Sequence, residues 1–293
     1  MVEANEIFQA SLSTNTWNSY EIGMSAFNKF RKNYNLDVIW PPPVNHISSF
    51  IAFLAYNSYT TSTAKTYVSA LSFSLKCKGL QDTTQHFIVK QMLKGMNKLY
   101  GTSDMRLPIT VQMMKQFPTA LVHVCSSRYE VVMFMSAFAL AFSALLRVGE
   151  IACTSSNESE KIIQNNDINF DNDKTLSLRL RYSKTDQYWK SCVLKIDDNI
   201  LPFSTYSALK AYLNIRPKFD GPLFCHLNRS VLTRTQFLSA LQSSLQFLGY
   251  TTHRINTHSF RIGAATYYAM LGLNEDEIKQ KGQMKLQLIP TLY

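Results

Sequence analysis

A chain of 293 residues is long enough for two domains with separate cores, and 46% hydrophobic against 17% charged residues excludes a disordered polypeptide. The formal net charge of +10 suits a polyanionic partner, and both halves share it: residues 1–107 carry 10 Lys/Arg against 6 Asp/Glu, residues 108–293 carry 20 against 14. Cys77, Cys125, Cys153, Cys192 and Cys225 are odd in number, scattered and without a C-x-x-C pair, which argues against a disulfide framework and for reduced thiols in an intracellular protein. The nearest approaches to metal spacing, His123-x-Cys125 and the pair His253 and His258, are too weak to infer a metal. Met1 to Gln9 carries two acids and no apolar core, so no signal peptide is expected; Val131 to Leu146 is nearly all apolar but too short to span a bilayer, so no membrane partner is expected.

In chain order, residues 11 to about 32 read as a helix with Trp17, Tyr20, Met24, Phe27 and Phe30 at helical spacing and basic residues in the last turn. Pro41-Pro42-Pro43 breaks regular structure; Asn45 or the serines after it can open a second helix carrying Ile47, Phe50, Ile51 and Leu54. A third helix, capped at Thr61 or Ser62, ends in Lys76, Lys78 and Gly79. The fourth, over 83–100, places Lys90, Lys94 and Lys98 at four-residue steps. Such a stripe is usually a solvated face, and on one side of a compact helical domain it can also track phosphates. The stretch from Gly101 to Thr110 has a linker's composition and marks a domain boundary, which we set at 105/106.

Beyond it, Thr110 can cap a helix running toward Phe117, and 131–146 reads as the central helix of the second domain. It runs into Arg147-Val148-Gly149-Glu150, where the arginine is either a snorkelling helix end or a charge held near a buried site by Glu150. Strict alternation over Leu176, Leu178, Leu180 and Tyr182, and again over Cys192, Leu194 and Ile196, predicts a hairpin whose connection carries Lys184. A helix near 204–215 and one opened by Thr233, containing Arg234, follow. Thr257 can cap a further helix with Phe260, Ala264, Tyr267 and Leu271 inward, so His258 and Arg261 share a face; Asn274 with Glu275, Asp276 and Glu277 starts another, closed by Lys279, Lys281 and Gly282. Alone, a His-x-x-Arg is usually a capping histidine beside a surface arginine. With a tyrosine following, the donor fork of arginine and the proton chemistry of histidine suggest phosphate chemistry.

The order Arg147, Lys184, His258-x-x-Arg261 and Tyr293 resembles the tyrosine recombinase (phage-integrase-like) family: arginine after an apolar helix and before Gly-Glu, lysine on a hairpin, His-x-x-Arg on a late helix, tyrosine last. The wording His258-Ser-Phe-Arg-Ile-Gly-Ala-Ala-Thr with Arg147-Val-Gly-Glu looks most like the eukaryotic Crypton and DIRS-type transposon recombinases, and the resemblance covers nearly the whole chain. It implies a mainly α protein: a helical core-binding domain over 1–105, and a catalytic α+β domain with a small antiparallel sheet over 106–293. It also implies Arg147, Lys184, His258, Arg261 and Tyr293 as catalytic residues working without cofactor or metal. Lys65, Lys90, Lys94, Lys98 and Arg234 are the candidate DNA contacts.

The implied partners are double-stranded DNA and further copies of the chain, four on DNA, and the implied address is the nucleus. One position departs from the family pattern: nine residues before the tyrosine, where a His or Trp is expected, stands Met284, which cannot donate a hydrogen bond to phosphate. Either Gln283 or Lys285 fills that role or the site is weakened, and a domesticated, catalytically weak or inactive DNA-binding protein is the alternative. A type IB topoisomerase and a helical interaction scaffold are further rivals.

Overall fold

The computed structural model describes residues 2–101, 105–154, 156–172, 174–181 and 191–282. The chain divides into two compact units, Met1–Asp104 and Met105–Tyr293.

The first unit is helical throughout: α1 (Val2–Ala10), α2 (Thr14–Asn33), α3 (Val44–Tyr56), α4 (Thr61–Cys77) and α5 (Phe87–Tyr100). Its core gathers Phe27, Phe30, Ile47, Phe50, Leu71 and Val89, with Met24 packed against it, so the stripe of α2 is core in its second half, while Trp17 and Tyr20 are half-buried against Phe73. Several helix starts differ from the sequence reading. The opening residues form α1, whose Phe8 stacks on Phe73 and meets Trp17 edge-on, a tertiary anchor with no local signal. Pro43, not Asn45, occupies the cap position of α3, and Thr60 caps α4 by accepting from the Thr63 amide. Residues 83–85 are a separate 3-10 turn, after which His86 Nδ1 accepts from the Ile88 amide and opens α5.

In the second unit α6 (Val111–Val124) starts at Thr110, whose Oγ1 accepts from the Met113 amide, and continues through Pro118 because Phe117, Ala120 and Leu121 are buried around the break. The apolar block becomes α7 (Arg128–Ser143), opened by Ser127 accepting from Glu130 N–H. It is packed against by α6, α9 (Thr205–Ile215) and α11 (Ser259–Met270). The one-turn α8 (Val148–Ile151) leads to a three-stranded antiparallel sheet in the order β1 (Ile168–Asn172), β2 (Thr175–Leu180), β3 (Cys192–Asp197). The β2–β3 hairpin follows from its alternation: Leu176, Leu178, Leu180, Leu194 and Ile196 point into the core. The polar sequence of β1 hides it, since it is an edge strand with a register break between Phe170 and Asn172. Thr233 and Gln236 cap α10 (Arg234–Phe247) reciprocally, and Asn274 and Glu277 do the same for α12 (Glu275–Gly282). Among the described residues, no helix is long and apolar enough to cross a membrane, and no cluster of His, Cys, Asp or Glu could hold a metal ion.

Candidate active site

The sequence around Arg147 is shaped by how α7 ends. Leu146 N–H donates to Ala141 O and Leu145 N–H to Phe142 O, the paired bonds of a helix end that turns through the left-handed region. The residue in that conformation is Leu145, at φ 49° and fully buried, where glycine would be easier. The helix thus ends abruptly in the core and delivers Arg147 to the start of α8. There Glu150 holds it twice: Oε2 accepts the Arg147 amide at 2.8 Å and Oε1 faces Nη1 at 3.2 Å. Of the two readings of Arg147, the structure favours a charge held in place. Its side chain is three-quarters covered, and Glu150 is buried.

Arg261 arrives from 114 residues further along the chain, on α11. The rotation of that helix is fixed by Phe260, which sits in an aromatic cluster with Phe117, Phe138 and Phe237, and by Tyr268, whose hydroxyl donates to Ser143 O at 2.8 Å. Gly263 permits a close approach: a Cβ there would lie 1.8 Å from the carbonyl oxygen of Ile109. The junction segment is consequently seated on the start of α11, with Leu107 N–H donating to Arg254 O and Ile109 N–H to Ser259 O.

The Arg261 guanidinium is buried and donates through Nη2 to the carbonyl of Gly282, the last residue of α12. Its pKa is pushed down to about 10, first by burial and then by the charge of Arg147, with Glu150 opposing. Two guanidinium groups and one carboxylate lie within electrostatic range, leaving one net positive charge among the three. A phosphodiester, with two non-bridging oxygens sharing one negative charge, matches that arrangement.

The other sequence candidates are placed as follows. His258 is at the start of α11, exposed, in the cap position; contrary to the expectation for Thr257, it is Asn256 that organises this start, its Oδ1 accepting from His258 N–H at 2.9 Å. His258 and Arg261 are therefore one turn apart, the first outward and the second inward. The hairpin strand β3 packs against α12, whose end Arg261 holds. Lys184, Met284 and Tyr293 lie outside the described residues. In the first unit Lys65, Lys90 and Lys94 line one groove between α4 and α5 together with Lys76, Tyr20 and Asn97; Lys98 is exposed and does not line it. Arg234 belongs to the second unit, against the Arg147 turn. Sequence reading assigned no role to Gly263, whose only signal is its place inside a helix, or to Lys76, which it read as a helix terminus.

No protein-family model matches this sequence, and no curated protein matches it. Solved structures do match. The XerH site-specific recombinase bound to a palindromic difH substrate aligns over 92% of this chain and 73% of its own, at 17% identity and TM-score 0.64. A lambda integrase(75–356) dimer bound to a COC' core site aligns over 97% and 93%, at 14% identity and TM-score 0.64. The Tn1549 transposon integrase carrying Y379F, in complex with transposon right end DNA, aligns over 97% and 90%, at 13% identity and TM-score 0.66. Likeness at such identities establishes the architecture, and that architecture, mainly helical with a small three-stranded antiparallel sheet, is the fold of the tyrosine recombinases.

Proposed function

We propose that this chain is a site-specific DNA recombinase or integrase of a mobile element, of the eukaryotic transposon type that its motifs resemble, acting in the nucleus as an assembly of four copies on DNA. The observation that carries the reading is that Arg147, braced by Glu150, and the buried Arg261 come from distant elements into electrostatic range of one another. In this reading Tyr293 Oη attacks the scissile phosphorus, forming the tyrosyl–phosphate bond as the bond to the 5′ oxygen breaks. The proton of Tyr293 passes to His258, and Lys184 donates one to the departing 5′ oxygen. Arg147 and Arg261 stabilise the charge that grows on the non-bridging oxygens; Arg261 is buried and Arg147 is held by Glu150, so little reorganisation accompanies the step. A second 5′-hydroxyl then reverses the reaction on a new strand, and the bond energy is conserved in the protein link. Lys65, Lys90 and Lys94 follow the DNA backbone in the first unit, so binding weakens steeply with salt.

Met284 favours a second reading, a DNA-binding descendant without catalysis. A suicide DNA substrate separates the two in a denaturing gel. The enzyme reading expects a protein–DNA band from the wild type and none from Tyr293→Phe. A band of equal strength from Tyr293→Phe rejects the nucleophile, and a wild type that shifts DNA in a native gel yet gives no covalent band establishes the second reading.

A further inference from the structure

Arg234, one of the candidate DNA contacts, lies against the turn that carries Arg147. The start of α10 is stitched to the exit of α8 by the main chain: Cys153 N–H donates to Leu232 O at 3.3 Å, and Arg234 N–H to Cys153 O at 3.0 Å. From that position the side chain reaches back over α8. Its Nε donates to Ala152 O at 3.2 Å, and its guanidinium covers Gly149 so closely that a Cβ added there would lie 2.7 Å from Nη2 and 3.1 Å from Cζ. The opposite flank of the same turn is held by Ile163 N–H donating to Glu150 O. Gly149 is therefore the floor of a slot that a guanidinium fills, and the slot lies within the four residues that set the Glu150 carboxylate against Arg147.

We propose that Arg234 is a positioning residue: its guanidinium, laid on Gly149 and bonded to Ala152, fixes the turn that presents Arg147 and Glu150. This rests on the reading of Arg147 as a phosphate-binding group. Lysine would keep the charge of Arg234 but has neither the Nε donor nor the flat plate over Gly149. Conversely, a methyl group at Gly149 displaces only the far end of a flexible side chain, so Gly149→Ala keeps the fold and evicts the guanidinium.

The test uses the full chain with Arg234→Lys, Gly149→Ala and the double variant Gly149→Ala/Arg234→Ala. Single-turnover cleavage of a suicide substrate at saturating protein is expected to fall on the order of 10-fold in each single variant, with unchanged DNA affinity and no further loss in the double. Full cleavage by Arg234→Lys, or losses that multiply in the double, overturns the proposal. So does an effect confined to DNA affinity and its salt dependence, which marks a phosphate contact. Amide hydrogen exchange supplies an arm independent of activity: protection at 148–152 is expected to drop in Arg234→Lys, and unchanged protection overturns the proposal even if the wild type itself proves unable to cleave, an outcome that would remove the enzyme reading alone.

Discussion

Two arginines of the second unit are equally hidden, Arg216 at 6% exposure and Arg261 at 8%, yet their surroundings differ in kind. Arg216 spends its donors on the main chain of one loop, bonding the carbonyls of Pro217, Phe219, Pro222 and Leu223 at 2.8–3.0 Å with the Phe219 ring stacked beneath it. It closes a turn. Arg261 lies within electrostatic range of the Arg147 guanidinium and the Glu150 carboxylate, and the like charge adds to burial in driving its pKa down to about 10, with Glu150 opposing. Burial of a charge is therefore no mark of a site. What sets Arg261 apart is a second cation, Arg147, within electrostatic range, and groups perturbed by both burial and a specific charge cluster at functional sites.

Neutralising each arginine in turn separates the two roles. Arg261→Gln is expected to lower DNA cleavage on the order of 10²-fold or more while the melting temperature stays level or rises, since a cost of charge burial is removed with the charge. Arg216→Met should do the reverse, losing about 3 kcal/mol or more of stability through stranded carbonyls, with activity per folded molecule retained. Matched thermal melts and single-turnover assays check both, and equal stability losses in the two variants would erase the distinction. Gly263→Ala is a test of the support beneath Arg261: its methyl would collide with main chain at Ile109, so a loss of about 2–3 kcal/mol is expected in denaturant melts, with little recovery from a second substitution nearby.

The smallest effect concerns a partly buried anion of the first unit, Asp82. Burial raises the Asp82 carboxyl, but hydrogen bonds from Ser72 and Thr84 and the ion pair with Lys76 outweigh it and hold its pKa below the ordinary carboxylate value. A depressed acid stabilises the fold above its unfolded pKa of roughly 3.9 and loses that contribution as pH falls through the lower, folded one. Asp82→Asn should thus cost about 1–2 kcal/mol at neutral pH, and the gap between variant and wild type should close in melts run at progressively more acidic pH.

Local chemistry explains which elements were legible beforehand. Thr110, Thr233 and Asn274 each announce a helix by a side chain that satisfies amides within the next turn, and the β2–β3 hairpin shows its two-residue period directly. The elements that escaped are held by distant partners: α1 by Phe73, β1 by its pairing with β2, and α6 beyond Pro118 by burial of its apolar face. At the site the same division holds. Arg147, His258 and Arg261 could be singled out from their neighbours in sequence, but the burial of Arg261, the exposure of His258 and the place of Arg234 beside Gly149 could not.

The helical periods, the caps at Thr110, Thr233 and Asn274, the hairpin and the residue types suited to phosphate chemistry are legible locally, because each depends on interactions spanning a few residues. Long-range packing was needed to bring Arg147 and Arg261 within electrostatic range and to lay Arg234 over Gly149. The approach of Arg261 follows from how Phe260 and Tyr268 seat α11 on α7, a packing of side chains more than a hundred residues apart that no local pattern encodes.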